Sequence, residues 1–235
     1  MQKSYYIYGT GPVQMALDNP TRIIRNLFVT DASSPFFKNC RKQQPQIKDK
    51  KFFNHILGEV NHQGIAAEVS PLNHTTYNSI LEKASATILI LDQITDPHNV
   101  GAILRNAAAF GVDCIIMPID NSPEESGIIA KTSAGAIEVT PLIYVTNLVS
   151  FIKEAKSKGF WCYGADGEAK ISAIQEKYPS KRIIIMGSEG KGMRKLVRDN
   201  CDVLIKIPTN GKIESLNVSC AAAIILSNLF SNDKN

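Results

Sequence analysis

The chain has 235 residues, 44% hydrophobic and 20% charged, the balance of a globular protein large enough to bury one large or two small cores. It has no apolar run of about 18 residues, and the amino-terminal MQKSYYIYGTG has neither a long apolar stretch nor a cleavage pattern. We therefore expect no membrane span, no secretion signal and a cytoplasmic location. The net charge of +4 is modest but uneven: residues up to 85 carry ten Lys and Arg against six Asp and Glu, and the remainder balances at sixteen of each.

Residues 4 to 69 alternate on a short scale. Tyr5 to Tyr8 reads as a strand, Pro12 to Leu17 as the start of a helix, Ile23 to Val29 as a second strand, Lys51 to Leu57 as a helix and Gly64 to Val69 as a strand. Between them, KNCRKQQPQIKDKK (Lys38 to Lys51) is either a solvated basic loop or a contact for a polyanion such as RNA. The polar, turn-rich SPLNHTTYNS (Ser70 to Ser79) marks a boundary. The expected division is a small α/β domain over 1–72, a linker over 73–79 and a larger domain over 80–235.

Beyond the boundary the units lengthen. Thr87 to Leu91 is a buried strand, and the loop DQITDPHN leads to a helix from Asn99 or Val100 to Phe110, stopped by Gly111. Cys114 to Met117 (strand), Glu124 to Ala134 (helix), Leu142 to Val145 (strand), Asn147 to Lys158 (helix stopped by Gly159) and Phe160 to Gly164 (strand) follow. The last stretch reads as a strand (Ile183 to Met186), a glycine loop (Gly187, Gly190, Gly192), a basic helix (Met193 to Asn200), a strand (Val203 to Ile207), a polar loop and an apolar helix from about Asn217. Strands alternating with helices predict a mostly parallel, doubly wound sheet, whose carboxyl edge is where ligands bind.

Five cysteines (Cys40, Cys114, Cys162, Cys201, Cys220) include no C-x-x-C pair, and four histidines (His55, His62, His74, His98) lack ligand spacing. We expect no metal site, and buried reduced thiols at Cys114, Cys162 and Cys220. GSEGKG is either a nucleotide cradle or a plain strand-to-helix turn. It fails the Walker pattern because Met193 follows Gly192, and the dinucleotide fingerprint because Lys195 stands where a third glycine belongs. On the first helix Val100, Ile103, Leu104 and Ala107 share one face, and Arg105 lies about 140° from Val100. It is either a solvated side chain or a contact for phosphate or a partner. Asn99 has the position of a helix cap. Glu189 in the glycine loop, with Ser215 and Asn217 in SLNVS, places a carboxylate, a hydroxyl and an amide at the same edge. That set fits recognition of a polar ligand; Asp96 and His98 have no nucleophile nearby to make a hydrolase triad.

Three ordered stretches, DPHNVGAILRNAAAFG (Asp96 to Gly111), IIIMGSEGKGM (Ile183 to Met193) and IPTNGKIESLNVSCA (Ile207 to Ala221), resemble the motifs of the SpoU/TrmH class of SPOUT RNA ribose methyltransferases. IYG (Ile7 to Gly9) and HQGIAAEV (His62 to Val69) resemble the small RNA-binding domain of the branch that methylates a guanosine of large-subunit ribosomal RNA. The resemblance implies a C-terminal trefoil knot in the larger domain, an exception to un-knotted folding. It implies S-adenosylmethionine held by Gly187, Ile207 and Leu216, with the loop of Gly190 and Gly192 closing on it, and no metal. It further implies a homodimer in which Arg105 reaches RNA at the partner's cofactor, while Asn99, Glu189, Ser215 and Asn217 order loops and position the ribose. No DNA or membrane partner is implied. A guanidinium is effectively always protonated, which argues against Arg105 as a simple general base. The chain departs from the family where IYG continues as Thr10-Gly11-Pro12 rather than His-Ala, a change expected in a surface loop near RNA. The rival readings are a transfer RNA or another ribosomal nucleotide as target, a non-catalytic RNA-binding assembly factor, and, more distantly, a nicotinamide oxidoreductase.

Overall fold

A computed structural model describes residues 4–36, 43–72, 74, 76–212 and 215–233. Cys40 and the basic residues Lys38, Arg41 and Lys42 lie outside the described residues. The chain divides into two compact units, one of residues 1–73 with 124–139, the other of 74–123 with 140–235.

The smaller unit is built on a four-stranded sheet, β1 (Tyr5–Tyr8), β2 (Ile24–Val29), β3 (Gln46–Ile47) and β4 (Ile65–Val69), in the order β1-β4-β2-β3. β4 runs antiparallel to β1 and β2, and the two-residue β3, too short to leave a periodic signal, pairs parallel to β2. Helix α1 (Thr10–Asp18) buries Pro12, Val13 and Ala16. Thr10, Gly11 and Pro12 thus form the first turn of a helix rather than a surface loop, because proline's missing N–H costs nothing there. Helix α2 (Lys50–Leu57) is capped by Asp49, whose side chain accepts from the Phe52 amide, and drives Phe53 into a cluster with Phe28 and Ala66.

Residues 124–139 cluster with this smaller unit. The helix expected over Glu124 to Ala134 is only α5 (Gly127–Thr132), capped by Ser126 and followed by a 3-10 turn at Ala136–Glu138. Arg22, 3% exposed, explains the clustering: its guanidinium pairs with Glu125 and Glu138 at 2.7 Å each and donates to the Ser70 carbonyl. A buried charge persists only when so paired. Gly127 permits the approach, since a Cβ there would lie 2.3 Å from the Tyr6 carbonyl oxygen of β1.

The larger unit holds seven strands, β5 (Ala86–Asp92), β6 (Cys114–Pro118), β7 (Leu142–Val145), β8 (Trp161–Ala165), β9 (Ile171–Ser172), β10 (Lys181–Gly187) and β11 (Val203–Lys206). Their order is β7-β6-β5-β10-β8-β11-β9, and every pairing is parallel. β5 and β6 are buried along their whole length and β10 through Arg182–Met186, which is why they read as continuous apolar runs rather than alternating ones. Around the sheet run α3 (Asn78–Leu81), α4 (Pro97–Ala109), α6 (Leu148–Ser157), α7 (Lys195–Arg198) and α8 (Val218–Asn232). The basic helix expected from Met193 to Asn200 is thus a single turn.

Helix α8 buries Val218, Ala222, Ile225, Leu226 and Leu229 on one face. Cys220 lies about 200° around from Val218 and is exposed, correcting the expectation of a buried thiol there; Cys114 and Cys162 are buried. Burial raises the Cys114, Cys162 and Cys201 thiols to about 12, so none is poised as a thiolate. Among the described residues no helix is long and apolar enough to cross a membrane, and no three His, Cys, Asp or Glu side chains converge as metal ligands.

Candidate active site

The cap of α4 is Asp96, whose carboxylate accepts from the His98 amide at 2.9 Å, with Pro97 at the first helical position. Asn99 therefore is not the cap expected from its sequence position. It sits in the first turn with its side chain directed outward, where it meets the loops that follow β10 and β11.

The meeting is a hydrogen-bonded triangle. Asn217 Nδ2 donates to Asn99 Oδ1 at 3.0 Å and to Glu189 Oε1 at 2.7 Å, and Asn99 Nδ2 reaches the same Glu189 oxygen at 3.5 Å. Asn217 is also the cap of α8: its Oδ1 accepts from the amides of Ser219 and Cys220 and from the Ser219 hydroxyl. Glu189 takes a third bond from the Val218 amide at 3.2 Å, which sets a carboxylate at the amino terminus of α8, where the helix dipole favours it. Beside the triangle, α4 and α8 are tied by Asn106 Nδ2 donating to the Ser219 carbonyl at 3.1 Å.

A 540 Å³ cavity opens at the carboxyl ends of β8, β10 and β11. Gly187, Gly190, Gly192, Ile207 and Leu216 all line it, as do Glu189 and Ser215. Ser215 is exposed and, among the described residues, joins none of the triangle by a hydrogen bond. Gly187 has no alternative at its position: a Cβ would lie 2.2 Å from the Gly192 carbonyl carbon. Asn99, Asn217 and Arg105 do not line the cavity. Arg105 is exposed on α4, as its angle from Val100 predicts, and takes part in no ion pair among the described residues.

Sequence reasoning missed one wall. Asp166, Gly167 and Glu168, in the turn after β8, line the cavity, and Asp166 pairs with Arg198 of α7 at 2.8 Å. The signal was present: a turn-forming Asp-Gly directly follows a parallel strand, at the edge where loops gather.

Fold and site define a parallel α/β domain with a small-molecule cavity at its carboxyl edge and a polar constellation on the rim. The model of the SpoU rRNA methylase family matches residues 86–227, and that of the RNA 2′-O ribose methyltransferase substrate-binding domain matches residues 6–75. The chain is 40% identical over 232 residues to 23S rRNA (guanosine-2′-O-)-methyltransferase RlmB of Vibrio vulnificus, covering 94% of each, and 36% identical over 231 residues to that of Pseudomonas putida, covering 94% of this chain and 93% of the relative. Its fold is that of the SpoU methyltransferase AviRb from Streptomyces viridochromogenes in complex with AdoMet (TM-score 0.85, 19% identity, 99% of this chain and 91% of the other). A putative RNA methyltransferase of the TrmH family from Porphyromonas gingivalis is similar at a TM-score of 0.80 and 26% identity, with 96% and 88% covered. The chain belongs to the SpoU rRNA methylase family.

Proposed function

We propose that this protein is an S-adenosylmethionine-dependent RNA methyltransferase that methylates the ribose 2′-hydroxyl of a guanosine in large-subunit ribosomal RNA. The supporting observation is the Asn99–Glu189–Asn217 triangle on the rim of a cavity lined by Gly187, Ile207 and Leu216. The similarity to RlmB along nearly the whole chain supports the ribosomal target. In this reading the protein acts in the cytoplasm as a homodimer, the chain from β10 to α8 is threaded as a trefoil knot, and the smaller domain binds RNA.

The cavity fits the cofactor. Its volume falls within the roughly 300–1,000 Å³ of small-molecule sites. Met186, Ile207, Leu216 and Ile225 offer an apolar wall to a purine; Glu168 and Glu189 offer carboxylates to a sulfonium and an ammonium group, while Lys191 and Lys206, with Arg198 paired to Asp166, balance that charge and suit the cofactor's carboxylate. When bound, S-adenosylmethionine supplies a methyl group already activated on sulfur.

What remains for the protein is positioning, which can contribute about 7–11 kcal/mol where the reacting atoms are held in line. Gly187, Gly190 and Gly192 bring backbone close to the ligand. Glu189, Asn99 and Asn217 hold three loops in one arrangement, and Ser215 faces the cavity from the loop before α8. Arg105, outside the cavity of its own chain, serves the cavity of the partner, where its guanidinium grips a phosphate and fixes the target ribose. The residues that hold the target ribose would keep its 2′-oxygen in line with the bound methyl donor, and the hydroxyl proton would leave to water or phosphate.

The test is transfer of a labelled methyl group from S-adenosylmethionine to unmodified ribosomal and transfer RNA, followed by digestion to nucleosides. Label in 2′-O-methylguanosine from ribosomal RNA is expected. Label confined to transfer RNA or to another nucleoside overturns the target, and absence of both label and cofactor binding overturns the enzyme.

A further inference from the structure

Asp92 is the last residue of β5, its side chain is fully buried, and in the parallel register it stands opposite Gly187, where the glycine loop leaves β10. A buried carboxylate in an apolar sheet is costly unless something holds it. Both its oxygens are held by one residue: the Arg194 backbone amide donates to Oδ2 at 2.8 Å, and Arg194 Nε donates to Oδ1 at 2.7 Å. Arg194 follows immediately on Met193, where the glycine loop ends. The two ends of the loop, 187 and 194, are thus fastened at the same residue of β5.

Within that frame the loop closes on itself. The Ser188 amide donates to the Gly192 carbonyl at 3.1 Å, and the Gly192 amide returns to the Ser188 carbonyl at 2.9 Å. Gly190 and Gly192 take positive φ values of 78° and 67°. The intervening residues have little freedom to hold Glu189 against Asn217 except through these anchors.

We propose that the Asp92–Arg194 pair is a positioning element that sets the closed geometry of the cofactor loop. Neither residue lines the cavity, so the pair acts through residues 188–193, which do. The inference rests on the cofactor reading for its binding consequence, but its structural part stands apart from it.

The experiment compares the full-length protein with Arg194→Met and Arg194→Lys by hydrogen exchange of residues 188–193 without ligand and by calorimetric titration with S-adenosylmethionine. Arg194→Met is expected to raise loop exchange and weaken cofactor binding about tenfold, with exchange in β5 and β6 unchanged. Arg194→Lys, which keeps a cation beside the buried carboxylate, is expected to recover most of both, to within about threefold of the parent. A lowered melting temperature with parental loop exchange and affinity in Arg194→Met overturns the proposal. If that variant does not fold, Arg194→Gln, which removes the cation from the buried carboxylate, decides: parental values in both readouts overturn the proposal, and raised loop exchange with weakened binding supports it. If the parent protein binds no S-adenosylmethionine, the cofactor reading fails, while loop exchange still decides the positioning role.

Discussion

The Asn217 amide and the Glu189 carboxylate, 28 positions apart, meet at 2.7 Å, and the same amide caps the helix that follows it. One side chain therefore couples the glycine loop to the start of α8. Glu189→Ala removes the acceptor shared by Asn99, Asn217 and the Val218 amide. Its methyl-transfer rate is expected to fall about 100-fold, the scale of a misplaced loop. Glu189→Gln keeps an acceptor oxygen and is expected to lose less. Single-turnover transfer, read beside cofactor affinity, checks both.

Gly187→Ala places a methyl group inside van der Waals contact with the Gly192 backbone. The expected cost is about 1–3 kcal/mol of stability, with loss of cofactor binding. Gly167→Ala, with no neighbour within 4 Å of the new Cβ, is expected to stay within about 0.5 kcal/mol of the parent. Denaturant unfolding of the two variants side by side is the measurement.

Arg105→Ala is expected to abolish most methyl transfer while leaving stability within about 0.5 kcal/mol, because the side chain is exposed. If Arg105 serves the partner's cavity, mixing Arg105→Ala chains with Glu189→Ala chains rebuilds one intact site in each mixed dimer. Re-equilibrated mixtures are then expected to regain about a quarter of the parental activity, since about half the dimers are mixed. No recovery on mixing would place Arg105 at the site of its own chain.

Lys50 and Lys51 stand in the first turn of α2, and the Lys48 ammonium lies 5.2 Å from the Phe52 ring centroid. Replacing all three with Gln is expected to weaken RNA binding and to reduce the slope of log affinity against log salt by about 0.7–0.9 for each phosphate that is no longer neutralised. Cofactor affinity is the control and is expected to stay at the parental value. An unchanged slope would mark these lysines as ordinary solvated side chains.

Much of the architecture is legible in the chain. The parallel strands show as apolar runs because both faces of the sheet are covered, and Gly111 and Gly159, at φ values of 69° and 87°, end α4 and α6 as expected. The cap of α4 was misplaced at Asn99, although Pro97 carries a local signal that marks Asp96 as the residue before the helix. Residues 124–139 were not legible. Arg22 gathers Glu125 and Glu138 across more than a hundred positions, and no local periodicity carries that information.

For the site, the order of residues was enough to say which types stand at the strand ends: glycines where backbone must approach, and a carboxylate and amides where loops must be ordered. Those choices follow from local chemistry, acting within a turn or a strand. It took the packing of distant elements to make Asn99, Glu189 and Asn217 share one hydrogen-bonded contact, to wall the cavity with Asp166 and Glu168, and to keep Arg105 outside it. That outcome depends on β10 inserting between β5 and β8, because hydrogen bonds are settled at tenths of an ångström by elements that only the sheet order brings together.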